Sequence, residues 1–199
     1  MGTGTSVNGF HWDASPPSEQ YQPMRASAVK SDFPRVDSRL LHEAKIVLRL
    51  LQRKRLTLVT AESCTGGLIA AVLSAAPGAA ESLHGGFIAY TEGTKTAELD
   101  VPAELMEEFG TVSGEVARAM AEGALARSPA DIAIAITGVA GPEPDDRGNP
   151  VGLMFLAGAR RGGETKVMRR DFPARDAGDV RYQAVLSAFD LARHVIEAA

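Results

Sequence analysis

A single-domain α/β sandwich, built on a mixed sheet mostly covered by helices, is the architecture predicted for this 199-residue chain. Three features point to it. Short apolar runs alternate with stretches of helical periodicity through most of the length. The early runs are separated by segments long enough for helical crossovers, and the last two by a short glycine turn that suits a hairpin. Hydrophobic content of 45% is enough for a sizeable core.

From Met1 to about residue 34 the chain is rich in Gly, Ser and Pro and shows neither periodicity, so residues 1–34 are predicted to be a disordered tail and 35–199 the domain. Phe10, Trp12 and Tyr21 leave open a second use for the tail, as an arm docking on a neighbouring subunit. Leu40, Leu41, Ala44, Val47, Leu48 and Leu51 then recur at helical spacing behind a cap at Asp37 or Ser38. Leu56–Thr60 is apolar and β-branched, a buried strand. A helix opens near Gly66, runs through Leu68–Leu73 and is closed by Gly78. Gly86–Tyr90 reads as a second strand, followed by a helical stretch from Lys95 to Leu99. Pro102 opens a further helix ended by Gly110, and Ser113 caps a longer one with Val116, Met120 and Ala124 on one face. Ile132–Ile136 is a fully apolar strand. Val151–Ala157 and Lys166–Phe172 form the hairpin around Arg161–Gly163, and Asp179–Ala198 closes the chain as a helix with Ala184, Ala188, Leu191 and Val195 inward.

A net charge of −4 gives no general attraction to nucleic acid or to an anionic membrane, so an anionic ligand would need a local site and the expected partner is a small molecule. The one cysteine cannot close an internal disulfide, and no apolar run approaches the ~20 residues of a spanning helix. With no signal-peptide pattern, a cytoplasmic location is expected. No cluster of metal-ligand spacing is present, and homo-oligomerisation is expected. Leu105, Met106 and Phe109 suit a subunit contact or the core alike.

Chemistry is expected at Thr60-Ala61-Glu62-Ser63-Cys64-Thr65-Gly66-Gly67, a strand-to-helix junction of small residues with one hydroxyl and one thiol at its tip. Unpaired N–H groups at the start of the helix would let Thr65, Gly66 and Gly67 hold an oxyanion or a phosphate, although the same residues would also serve as an ordinary N-cap. Ser63 needs a base. His11, His42, His84 and His194 are poorly placed, and of these only His84 is a candidate. Lys95, with Tyr90 just beyond the end of a strand, could serve if burial lowered its pKa. A fall of about three units would cost roughly 4 kcal/mol, at ~1.36 kcal/mol per unit, which a domain of this size can absorb. Cys64 is the rival nucleophile, turned away from Ser63 by strand alternation. Thr137-Gly138-Val139-Ala140-Gly141-Pro142 offers exposed backbone N–H groups for a phosphate or ribose, or is a simple turn.

Taken in order, Thr60–Gly67, Tyr90 with Lys95, Gly110-Thr111-Val112-Ser113, Thr137–Pro142 and Pro150-Val151-Gly152 resemble the CinA C-terminal domain family from about Leu40 onward. Its enzymatic members are nicotinamide-nucleotide amidohydrolases that convert nicotinamide mononucleotide to nicotinate mononucleotide and ammonia in pyridine nucleotide salvage, without metal or cofactor. The resemblance implies Ser63 as nucleophile, Lys95 as base and Tyr90 as an assisting hydroxyl. It also implies an arginine for the phosphate, with Arg181 the closer match and Arg175 the other candidate. Thr65, Gly66, Gly67, Thr137, Gly138, Ala140 and Gly141 would complete the nucleotide site. The chain departs from the family pattern at Thr91-Glu92 and at Glu143-Pro144-Asp145-Asp146. Carboxylates near a phosphate repel it, so either the loop turns outward or the substrate differs. Full-length members carry a larger N-terminal domain that residues 1–34 are too short to supply, so a stand-alone form is expected. The other function the residues allow is a regulatory module that binds a nucleotide without turning it over.

Overall fold

The computed structural model describes residues 36–173 and 176–199, so the predicted tail, His11 and Arg175 lie outside the described residues. In chain order the elements are α1 (Ser38–Lys54), β1 (Leu58–Glu62), α2 (Leu68–Ser74), α3 (Ala79–Ser82), β2 (Leu83–Ile88), α4 (Glu92–Leu99), α5 (Ala103–Phe109), α6 (Gly114–Ala126), β3 (Ile132–Gly138), β4 (Leu153–Arg160), β5 (Lys166–Asp171) and α7 (Ala177–Glu197). The strands form one sheet in the order β2-β1-β3-β4-β5. β1 pairs in parallel with both β2 and β3, whereas β3–β4 and β4–β5 are antiparallel. This is the mixed sheet predicted from the alternation of helices and strands.

The central strand explains why the sandwich closes as it does. In Ile132-Ala133-Ile134-Ala135-Ile136 the side chains alternate faces. The isoleucines join the core made with α1, α2 and α7, and the alanines lie in the second core under α4, α5 and α6. The small methyls on the second face let α6 pack on β3 and β4. Leu40, Ala44, Val47, Leu48 and Leu51 of α1 and Ala184, Ala188, Leu191 and Val195 of α7 are buried, as their spacing predicts. Met106 is buried and Leu105 packs partly into the second core, while Phe109 is exposed.

Several boundaries differ from expectation for identifiable reasons. β1 begins at Leu58 rather than Leu56, because Thr57 is spent on Asp131: its N–H and hydroxyl both donate to that carboxylate, at 2.8 and 2.9 Å. β2 begins at Leu83, three residues early, directly after the unpredicted α3. Within β2, Gly86 is required by the sheet, since a Cβ there would overlap Thr60 Oγ1. α4 starts at Glu92 because Thr91 and Thr94 cap each other reciprocally. Asp37, not Ser38, caps α1, accepting from Leu40 N at 2.8 Å. Asp176 caps α7 through Asp179 N at 2.7 Å, which starts that helix two residues early.

The carboxyl ends of β1, β2 and β3 coincide, since Glu62 pairs with Ile88 on one side and Ile136 on the other. Loops leaving parallel strands at one end build a crevice there, and this is where the chemistry-bearing residues collect.

Candidate active site

Ser63 extends β1 by one residue, its N–H donating to Ile136 O at 3.1 Å, and the chain then turns sharply as Gly66 N donates to Ser63 O at 3.0 Å. Gly66 and Gly67 adopt φ of 61° and 94°, the left-handed region in which a side chain is strained, so glycine suits both positions. The start of α2 is not open to a ligand. Glu62, fully buried, turns its carboxylate back onto that helix and accepts from Ile69 N and Ala70 N at 3.0 and 2.9 Å. It also accepts from the hydroxyls of Thr65 and Thr60, at 2.7 and 3.1 Å. The cap that Gly67 cannot supply therefore comes from the strand.

Lys95 reaches Ser63 from α4. Its side chain is 1% exposed, and Nζ donates to Ser63 Oγ, Ala89 O and Tyr90 O, each at 3.0 Å. Burial pushes its pKa below the ordinary lysine value, against smaller opposing effects of Cys64 and Glu92. A neutral amine has two N–H donors and one lone pair. In the neutral form the two carbonyls would keep both N–H donors, and the lone pair would face the Ser63 hydroxyl. Tyr90 meets this pair through its backbone, since Ser63 Oγ also lies 3.5 Å from Tyr90 O. Its side chain is 63% exposed, so the contact is made by the carbonyl and not by the assisting hydroxyl expected from the sequence.

Ser63, Tyr90 and Lys95 open on a cavity of about 230 Å³ whose wall is continued by Thr111, Val112 and residues 137–141. Thr137, Gly138, Ala140 and Gly141 line it, and the Thr137 hydroxyl is engaged with Thr111 O at 2.7 Å. Arg181 of α7 completes the wall and anchors its Nε on Cys64 O at 3.1 Å. Thr65, Gly66 and Gly67 do not line the cavity. The Thr65 hydroxyl is held by buried Glu62, and the Gly66 N–H is used inside the turn. The N–H groups of Cys64 and Thr65 meet no acceptor among the described residues.

The rival groups are placed elsewhere. Cys64 Sγ packs 3.4 Å from Met154 Sδ, and burial pushes its thiol up to about 12, which keeps it protonated near neutrality. His84 is exposed at the opposite end of β2, level with Leu58 rather than Ser63, and His42 and His194 are exposed on α1 and α7. Of the acidic departures, Asp145 borders the cavity but accepts from Arg147 N, Asn149 N and Asn149 Nδ2 at 3.0, 2.8 and 2.8 Å, which ties it into its own loop. Glu143 borders the cavity from an exposed position. Glu62 escaped the sequence reading, although a carboxylate inside an apolar strand was the signal that could have found it.

Comparison with known proteins gives a consistent result. The model of the CinA C-terminal domain matches residues 41–196. A CinA-like protein from Parasynechococcus marenigrum is 45% identical over 150 residues, covering 75% of this chain and 36% of that protein. A putative competence-damage inducible protein from Caldicellulosiruptor bescii is 44% identical over 144 residues, covering 72% of this chain and 33% of that protein. The chain thus spans about a third of the length of these curated relatives. Among solved structures, the competence/damage inducible protein CihA from Agrobacterium tumefaciens superposes with a TM-score of 0.76 at 34% identity, over 82% of this chain and 97% of that one. A CinA superfamily protein from Escherichia coli gives 0.75 at 33% identity, over 78% and 90%.

Proposed function

The chain belongs to the CinA C-terminal domain family, and from that premise we propose that it hydrolyses the carboxamide of nicotinamide mononucleotide to nicotinate mononucleotide and ammonia through a Ser63–Lys95 pair. The observation that carries this reading is the 3.0 Å contact between a buried lysine amine and a serine hydroxyl at the mouth of a cavity. Nucleophile and base within hydrogen-bond reach, with the base held by two further groups, is the arrangement acyl transfer requires.

In this mechanism the neutral Lys95 amine takes the Ser63 proton as Oγ attacks the carboxamide carbon. The carbonyl oxygen becomes an oxyanion, for which the N–H of Cys64, a residue that lines the cavity, is the available donor. Lys95 then returns its proton to the amide nitrogen, the C–N bond breaks, and ammonia leaves an acyl ester on Ser63. Water, deprotonated by the same amine, attacks that ester; Ser63 recovers its proton and the product leaves as the carboxylate. The 137–141 loop and Arg181 line the space where ribose and phosphate would be held during both steps.

Ammonia release from nicotinamide mononucleotide by purified protein is the direct test. Steady release that Ser63→Ala abolishes is expected. A wild-type protein that binds the nucleotide by calorimetry and forms no product would instead assign the cavity to ligand holding, the function of a regulatory module.

A further inference from the structure

We propose that Glu62 is a positioning residue for the reaction: its buried carboxylate ties together the strand before Ser63 and the helix after it, and so holds Oγ against the Lys95 amine. The inference rests on the reading of Ser63 as nucleophile. Its two oxygens divide the work evenly. Oε1 accepts from Thr60 Oγ1 at 3.1 Å and Ala70 N at 2.9 Å, and Oε2 accepts from Thr65 Oγ1 at 2.7 Å and Ile69 N at 3.0 Å. Residues on both sides of Ser63, from 60 to 70, therefore converge on one fully buried side chain.

Only a carboxylate meets this demand. Four donors point at two oxygens, and each oxygen takes a pair that includes one backbone N–H; glutamine would offer one acceptor and set its own NH₂ against a backbone N–H whichever way it turned. Aspartate keeps the oxygens but is a methylene too short to reach from β1 to the first turn of α2. The same carboxylate offsets the positive end of α2. Because Ser63 follows Glu62 directly, any loosening of residue 62 is passed to Oγ through one peptide unit. Displacement of a reacting group by about 1 Å costs on the order of a hundredfold in rate.

The test compares wild type, Glu62→Gln and Thr65→Val for two rates, each normalised to the folded fraction from thermal melts: kcat for ammonia release, and covalent labelling of Ser63 by a small fluorophosphonate that needs no nucleotide pocket. Glu62→Gln should lower both by about 10- to 100-fold with KM within about twofold. Thr65→Val, which removes one of the four donors, should lower both by a few-fold and covers the case in which Glu62→Gln does not fold. A purely structural role would reduce the folded fraction and leave the rates per folded molecule within about twofold of wild type, and that result overturns the proposal. Glu62-dependent labelling without ammonia release would keep the positioning role and remove the substrate reading. Absence of both labelling and release in wild type would remove both.

Discussion

Lys95 shows how one side chain is given its chemistry by its surroundings. Burial lowers its pKa below the ordinary 10.5, so in the window between the lowered value and 10.5 the unfolded chain binds more protons than the folded one. Stability therefore rises with pH across that window, and below it the full cost of burying a charged amine is present. Lys95→Met removes this dependence. Denaturant titrations at several pH values should show wild type gaining stability relative to Lys95→Met as pH rises toward 10.5, and parallel curves would mean the amine is not desolvated. The same substitution should reduce kcat by about 10²- to 10⁴-fold, the usual contribution of a general base. In wild type, kcat/KM should rise with pH along a limb centred below the ordinary lysine value, since only the neutral amine can accept the Ser63 proton. Ser63 and Cys64, adjacent in sequence, are separated in reactivity by what each touches: one a lysine amine, the other a methionine sulfur in the core.

The contact between Lys95 and Ser63 depends on where α4 sits, and α4 is held by α6. Arg127, just after α6, donates through Nε and one Nη to the two oxygens of Asp100, just after α4, at 2.8 and 2.6 Å. One turn deeper, Gly123 of α6 faces the backbone of Leu99, and a methyl at that glycine would overlap the Leu99 carbonyl, which cannot swing aside as a side chain would. Two effects oppose each other in Gly123→Ala. Alanine favours the helix by about 1 kcal/mol, whereas overpacking a buried contact costs about 1–3 kcal/mol. The overlap is with backbone, so the cost should prevail and Tm should fall. Leu99 lies one helical turn from Lys95, so the displaced α4 should also lower kcat per folded molecule several-fold. A higher Tm with full activity would show that α4 is free to move without consequence. The Ser63 junction is read from the strand side in the same way: Gly67 at the cap of α2 leaves the helix end to Glu62, and the element boundary becomes part of the site.

α7 brings Arg181 to the cavity across 117 positions of sequence, closing the crevice at the carboxyl ends of the parallel strands. If that guanidinium receives the phosphate, ligand binding should stabilise the whole domain, by about 2.7 kcal/mol at a hundred times Kd. In a Ser63→Ala background, where no turnover consumes the ligand, nicotinamide mononucleotide should raise Tm more than its phosphate-free nucleoside, and Arg181→Met should make the two shifts equal. Equal shifts with Arg181 intact would place the phosphate elsewhere. Much of this architecture was legible in the chain. The periodicity of α1, α6 and α7, the apolar β3 and the glycine turn of the hairpin are short-range signals, decided by which residues lie two, three or four positions apart. The serine turn was visible for the same reason, because small residues and glycines at a strand-to-helix junction act locally. What lay beyond that range depended on burial. The Lys95 amine, only a candidate base until the family resemblance implied it, comes from 32 residues away, the cap of α2 comes from the preceding strand, and the Tyr90 contact runs through a carbonyl rather than a phenol. Polar groups removed from water must find partners wherever the folded chain places them, and those partnerships are set by packing across the sheet rather than by neighbours in sequence.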